Sequence, residues 1–375
     1  MNIGIDAKRA FKNFSGLGNY SRSLIEGVSK FYPKNNYYLY TPEYNNEGEW
    51  LNFSKADNTH IIKPTGIYKS LPSSFWRSYG IANNVKRDNI DLFHGLSGEL
   101  PVNKLSVPTV VTLHDVICVR YPQFFKPLDR KIYTKKFTQA CKDADKIIAI
   151  SKQTADDIIH YLNADPSKIE IVLQGCDKAF HTQPTTEEIA AAKVKYNLPD
   201  KFIINVGTIE TRKNLVTVIK ALKEIPKEVQ LIALGRATPY MNEVNAAIKE
   251  MGVEERVRVI HNATFRDFPA IYKQALALTY VSVFEGFGIP VLEGITVGTP
   301  VITSNISSMP EAGGDSALYV DPNNQHQIAA HINTLINNPA AAAEIIEKGY
   351  KYAAKFSEQK VTDNIYNVYN QLLKY

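Results

Sequence analysis

Short apolar runs, each about the length of one strand, recur along this chain. Between them lie stretches whose apolar residues fall three or four apart. Continuous or alternating runs mark strands, and a period near 3.6 marks helices. In the first half, residues 3–6, 37–41, 60–63, 91–95, 108–115, 146–151 and 169–173 read as strands. Residues 74–87, 126–142 and 152–162 read as helices among them. The alternation predicts an α/β chain with parallel sheets. Residues 182–199 interrupt it with a link and a helix, opened by a capping box from Thr185 to Glu188. The pattern then restarts with strands at 202–207, 229–235, 257–261, 275–283, 300–304 and 317–320, and a helix over 215–222. Two helices, 339–355 and 357–374, end the chain. The restart predicts a domain boundary near residue 180, giving domains 1–180 and 181–356. The last helix carries Val361, Ile365, Val368 and Leu372 at helical spacing and needs a partner surface, expected on the first domain.

Length supports the division, because 375 residues exceed one ordinary core and suit two domains. At 44% apolar and 22% charged, the composition is that of a soluble globular protein. No run approaches the roughly 18 apolar residues of a membrane span. Residues 1–6 already read as a strand, not a secretion signal. Cys118, Cys141 and Cys176 are odd in number and far apart, which suits free thiols in a reducing cytoplasm and gives no zinc spacing. The net charge of +5 suits an anionic ligand or membrane surface, and no nucleic-acid partner is expected.

The densest candidate chemistry lies at 285–293, Glu-Gly-Phe-Gly-Ile-Pro-Val-Leu-Glu, between a buried strand and a helix. Gly286 and Gly288 permit a sharp turn and a close ligand. Pro290 suits the first helical turn. The amides of Gly288, Ile289 and Val291 are expected to point outward as an anion site. Glu285 precedes that site, and Glu293, one turn in, is placed to hold a diol. Phosphate at helix amides with hydroxyls at carboxylates suits a nucleotide sugar. A plain strand–turn–helix with solvated glutamates fits the same nine residues, so context decides. Arg212 and Lys213 follow the first strand of the second half and form a phosphate-clamp candidate. In the first half, residues 15–19 place Gly16 and Gly18 at the first crossover, where ligands of α/β sheets gather. His114-Asp115 ends a buried strand there. Asp143-Ala144-Asp145 has the look of a metal motif, but Asp145 stands at a strand's amino end, which favours a structural role.

In order along the chain stand the glycine pair, His114-Asp115, Ser151 after residues 147–150, and Val206-Gly207 with Arg212-Lys213-Asn214-Leu215. The 285–293 block, Gly298-Thr299-Pro300-Val301-Ile302 and Pro310-Glu311-Ala312-Gly313-Gly314 follow. On these motifs, which span nearly the whole chain, it resembles retaining glycosyltransferases of family four. The resemblance implies the GT-B fold: α/β, two Rossmann-like domains with parallel sheets facing across a cleft. It further implies a donor diphosphate held by Arg212, Lys213 and the amides of the Gly286-Phe287-Gly288 turn. Glu293 would take the ribose, Glu285 the transferred sugar, and His114 would face that sugar from the first domain. Gly16 and Gly18 would admit the donor. Thr208 stands where many relatives have a basic residue. No cofactor or metal ion is implied, only a nucleotide-sugar donor. The His114-Asp115 segment with Arg120-Tyr121-Pro122 resembles mannosyltransferases, which makes GDP-mannose the first choice and leaves UDP-sugars open. The acceptor is expected to be a glycan or lipid-linked glycan of a surface polysaccharide. A nucleotide-sugar epimerase of the same architecture and a non-catalytic sugar-binding protein are the alternatives. Residues 120–142 mix seven basic residues with Tyr121, Phe124, Phe125, Tyr133 and Phe137. A cytoplasmic protein offering that stretch to an anionic membrane face is expected, against the alternative of an ordinary solvated helix.

Overall fold

The computed structural model describes residues 1–13, 16–44 and 49–373. The first sheet contains β1 Asn2–Asp6, β2 Asn36–Tyr40, β3 Thr59–Ile62, β4 Leu92–Gly95, β5 Thr109–Leu113, β6 Lys146–Ala149 and β7 Ile169–Ile171. The second contains β8 Phe202–Val206, β9 Gln230–Leu234, β10 Val257–Ile260, β11 Ala277–Tyr280, β12 Val301–Ser304 and β13 Ala317–Val320. Their orders are β3-β2-β1-β4-β5-β6-β7 and β10-β9-β8-β11-β12-β13. Every strand pair is parallel. Both sheets therefore start in the middle, grow to one edge, and return to fill the other, the doubly wound arrangement. β5, β8, β11 and β12 are buried at every residue. Crossover helices cover both faces, which is why these strands read as unbroken apolar runs.

Contacts divide the chain into two compact units, Met1–Gly175 with Ser357–Tyr375, and Cys176–Phe356. The C-terminal helix Glu358–Leu373 belongs to the first unit, where it lies on the helix Gly16–Phe31. Tyr366 stacks on Tyr32 with ring centroids 3.5 Å apart, and Asn35 donates to the Tyr366 hydroxyl at 2.9 Å. The Tyr369 hydroxyl meets His94 Nδ1 at 2.7 Å, and His94 Nε2 meets Thr112 Oγ1 at 2.8 Å. The helix is thus tied to β4 and β5 through a buried imidazole. Burial, with His114 nearby, lowers that imidazole to a pKa of about 3 and keeps it neutral.

Local departures from the sequence reading have physical causes. Gly16 and Gly18 lie inside the first turn of Gly16–Phe31, not in a loop, and a separate short helix, Lys8–Lys12, precedes them. Ser15 falls outside the described residues. A Cβ on Gly18 would stand 1.7 Å from the Asn13 carbonyl oxygen, so the chain itself demands glycine there. The helix expected over 74–87 forms, but as Ser73–Phe75 and Ile81–Arg87 joined by a π-turn at Trp76–Gly80, where Trp76 turns inward and donates to Asn84 Oδ1 at 3.1 Å. Asp145 Oδ2 accepts the Thr109 amide at 2.8 Å and so secures the start of β5. The capping box at Thr185 and Glu188 is present. No described helix is long and apolar enough to cross a membrane.

In the basic stretch, Arg120 is paired with Asp157, and Lys136 with Glu99 at 3.2 Å. The interleaved aromatics are half-buried. The apolar side chains that stand out from the helix Pro127–Asp143 are instead Leu128, 69% exposed, and Ile132, 44% exposed.

Candidate functional site

The second unit gathers charge at the carboxyl ends of β8 and β11. Arg212 and Lys213 lie in the turn after β8. Glu285 lies in the turn between β11 and the helix Ile289–Val297. Because β8 and β11 are parallel neighbours, their exit loops meet. Arg212 Nη1 approaches Glu285 Oε2 at 2.6 Å, and Lys213 Nζ approaches Glu285 Oε1 at 2.5 Å. Arg212 also donates to the Phe284 carbonyl at 2.8 Å and to Glu210 Oε1 at 2.6 Å. Tyr280, the last residue of β11, donates to Glu285 Oε1 at 2.9 Å and contacts Lys213 Nζ.

Burial opposes ionisation of Glu285, yet Lys213 and Arg212 outweigh it and hold the carboxyl at about 2. Burial lowers Lys213, with Glu285 opposing. Burial works against the Arg212 charge too, but Glu285, Tyr280 and Glu210 more than compensate. The two cations are therefore already engaged by a carboxylate, an arrangement that no local pattern predicts.

The turn holding Glu285 is strapped from outside. Ser307 Oγ and Ser308 Oγ donate to the Glu285 carbonyl at 2.9 and 2.8 Å, and Ser308 also reaches the Phe287 carbonyl at 2.9 Å. The Phe287 ring is buried near Phe356, so only its backbone faces the turn. Gly288 adopts φ 108°, and a Cβ there would stand 2.9 Å from Met309 Cε. Among the described residues the Gly288 and Ile289 amides have no acceptor in the protein. The Val291 amide is not free as expected. It donates to the Gly288 carbonyl at 2.9 Å, because the tight first turn closes on itself.

Glu293 is only 5% exposed and accepts from the Tyr272 hydroxyl at 3.0 Å. Burial, helped by Asp177 and opposed by Tyr272 and Lys213, raises its pKa to about 8. This carboxyl is thus mostly protonated at neutral pH. Tyr272, Tyr280, Ser307 and Ser308 escaped the sequence reading. Tyr280 carried a signal, a polar tip at a strand's carboxyl end. Tyr272 carried none, since its partnership with Glu293 depends on how two helices pack.

In the first unit, His114 follows β5, and its Nε2 lies 3.0 Å from the Leu96 carbonyl. A carbonyl only accepts, so Nε2 carries the proton and Nδ1 is left as an acceptor. Burial lowers the imidazole to about 4, the Leu96 bond opposing and Arg9 adding to the drop. Tyr20 packs edge-on against it at 4.6 Å between centroids, and the Tyr20 hydroxyl lies 3.2 Å from Thr112 Oγ1. Gly16 and Gly18 lie about one turn and half a turn before Tyr20 on the same helix.

Two doubly wound units, one with a cation pair and open helix amides at its strand ends, define a two-domain α/β enzyme of the GT-B class. Residues 15–180 match the family described as Glycosyltransferase Family 4, and residues 186–352 match Glycosyl transferases group 1. The chain belongs to this glycosyltransferase family. It is 29% identical over 287 residues to O-antigen chain mannosyltransferase B of Escherichia coli, covering 75% of this chain and 74% of that protein. It is 27% identical over 281 residues to the serotype-specific mannosyltransferase WbdA of Escherichia coli, covering 72% of this chain but 34% of that longer protein. Among solved structures, Anabaena Alr3699/HepE in complex with UDP and glucose superposes with a TM-score of 0.76 at 17% identity, covering 99% of this chain and 100% of that one.

Proposed function

We propose that this enzyme is a retaining hexosyltransferase that moves mannose from GDP-mannose to a glycan or lipid-linked glycan acceptor of a surface polysaccharide, without a metal ion. The observation that carries the reading is the Arg212–Lys213–Glu285 cluster beside the unpaired amides of Gly288 and Ile289. Mannosyltransferase names among the relatives support the choice of sugar, and UDP-sugars are the second choice.

Transfer breaks the bond between the anomeric carbon and the donor phosphate. The diphosphate leaves with the electron pair while positive charge grows on the sugar. Arg212, Lys213 and a helix N-terminus offset the charge on the leaving group. Glu285 engages both cations, so an incoming diphosphate takes over part of that pairing. Glu285 then turns to the sugar hydroxyls and the cationic carbon. The acceptor oxygen bonds to that carbon on the face the diphosphate leaves, and its proton passes to a departing phosphate oxygen. Glu293 is assigned to the ribose hydroxyls and neutral His114 to a sugar hydroxyl, through Nδ1. The backbone of Gly286, Phe287, Gly288 and Ile289 lines the diphosphate. Gly16 and Gly18 keep their assignment near the donor, although packing alone already explains Gly18.

A peripheral place on the inner membrane face is part of the same proposal. Leu128 and Ile132 project from a helix whose Arg130, Lys131 and Lys135 have no ion-pair partner among the described residues. Each basic residue near an anionic surface adds roughly 1 kcal/mol. In sedimentation with anionic and neutral vesicles, equal binding to both, or none to either, would leave this stretch as an ordinary solvated helix.

The deciding assay incubates the enzyme with GDP-mannose or UDP-sugars and candidate acceptors, with and without chelator, and reads product and anomeric configuration by NMR. An α-linked glycoside from an α-linked donor, formed in chelator, is expected. An inverted linkage ends the retaining assignment, and activity restored only by magnesium or manganese ends the metal-free one. Free epimerised sugar nucleotide, or no product, favours the alternative readings.

A further inference from the structure

A second charged cluster stands at the carboxyl end of the first unit's sheet, outside the donor site. β1 ends on Asp6, and the short helix Lys8–Lys12 follows at once. Ala10 and Phe11 turn into the core, which leaves Lys8 and Arg9 half-buried on the outer side. That helix is secured at both ends. The Lys8 amide donates to Asp6 Oδ1 at 3.3 Å, and Arg22 Nη1 donates to the carbonyls of Ala10 and Asn13 at 2.8 and 2.9 Å.

Behind it lies a buried ion bridge. Arg77, presented by the π-turn, reaches Asp6 Oδ2 at 2.6 Å and Glu99 Oε2 at 3.1 Å. Lys136 takes the other Glu99 oxygen at 3.2 Å. Both carboxylates are thereby committed to Arg77, Lys136 and a backbone amide. The side chains of Lys8 and Arg9 have no hydrogen-bond or ion-pair partner among the described residues. Four cations face two carboxylates. Burial, and then Arg77, lowers the Lys8 ammonium, with Glu99 and Asp6 opposing, and Arg9 is near enough to act on His114. Neutral His114 contributes no compensating charge. Two carboxylates do not offset four cations, and the partly desolvated positive charge that remains is costly unless an anion arrives. The exits of β1, β4 and β5 bring Lys8, Arg9, Glu99 and His114 to the end of a parallel sheet where ligands collect.

We propose that Lys8 and Arg9 form an oxyanion subsite in the first unit that receives a phosphate-bearing acceptor substrate. The inference rests on the reading of the second unit as the donor side. The Arg9 fork matches two phosphate oxygens, and Lys8 adds a compact charge. Both residues bind and orient; neither takes part in bond breaking.

The test uses the intact enzyme saturated with GDP, or with UDP if that nucleotide binds instead. Inorganic pyrophosphate is then titrated by calorimetry. A further binding event is expected, weakened at least tenfold in Arg9→Gln and in Lys8→Gln, with Arg9→Lys intermediate. Both residues lie outside the buried bridge, so these variants should melt like the wild type. Arg212→Gln should weaken the nucleotide but, at saturating nucleotide, not the pyrophosphate event. Absence of that event in the wild type overturns the subsite. Arg9→Gln weakening the nucleotide as much as Arg212→Gln does assigns the cations to the donor and overturns it too. So does loss of binding to phosphatidylglycerol vesicles with pyrophosphate binding intact, which would make bilayer headgroups the ligand. If Arg212→Gln leaves nucleotide affinity unchanged, the donor assignment fails while the pyrophosphate result still reports on Lys8 and Arg9.

Discussion

Glu285 and Glu293 are eight residues apart in one motif and chemically opposite. Glu285 is ionised by two cations, whereas Glu293 is neutral by burial. Glu285→Gln removes the carboxylate that competes with a diphosphate for Arg212 and Lys213. It should therefore strengthen binding of the free nucleoside diphosphate, by up to the 1–3 kcal/mol of a charged hydrogen bond, while turnover falls. Calorimetry and kcat together check this, and weaker nucleotide binding would contradict it. For Glu293, the folded pKa of about 8 stands above the ordinary 4.5. The stability this brings is complete below about pH 4.5 and is lost as pH rises through about 8. Glu293→Gln stays neutral and keeps an acceptor for Tyr272. It should melt close to the wild type near pH 5 and above it at pH 9, as read by a melting series across pH.

At the scale of elements, the turn before Ile289–Val297 depends on Gly288. Its positive φ and the contact with Met309 leave no room for a side chain. Gly288→Ala should cost on the order of 1–3 kcal/mol in chemical denaturation and weaken nucleotide binding, because the amides of the turn would shift. The C-terminal helix carries an equally specific contact, Tyr369 on His94. Tyr369→Phe leaves a buried imidazole nitrogen unpaired and should cost about 1–3 kcal/mol, measured by urea unfolding. A loss below a few tenths would mean that the helix is held by packing alone.

At the scale of the molecule, the chain leaves its first unit at Gly175 and returns to it at Ser357. Ile365, Tyr366, Val368 and Tyr369 fill one cluster with Leu24, Ile25 and Val28. Truncation after Phe356 should therefore lower the melting temperature of the first unit, not merely fray an end. A truncated protein that melts like the full chain would refute this.

Hydrophobic period and the succession of strands and helices along the chain were legible in the sequence, because each buried parallel strand must be apolar along its length and each crossover helix must be apolar on one side. The restart near residue 200 and the apolar stripe on the last helix were legible for the same reason. So was the placement of Arg212, Lys213, Glu285 and His114 at strand ends, since a strand's apolar run stops where its loop meets solvent or ligand. What those side chains touch was decided only in three dimensions. Pairing β8 with β11 brings residues about 70 apart into one ion cluster. That pairing turns an expected phosphate clamp into an engaged one. Packing of two helices places Tyr272 on Glu293 and removes water from its carboxyl, which no local pattern encodes. The tight turn at Gly288 consumes the Val291 amide, and the Asn13 carbonyl demands Gly18. Periodicity records which side of an element is buried; partners, charge states and free donors depend on what the fold packs against it.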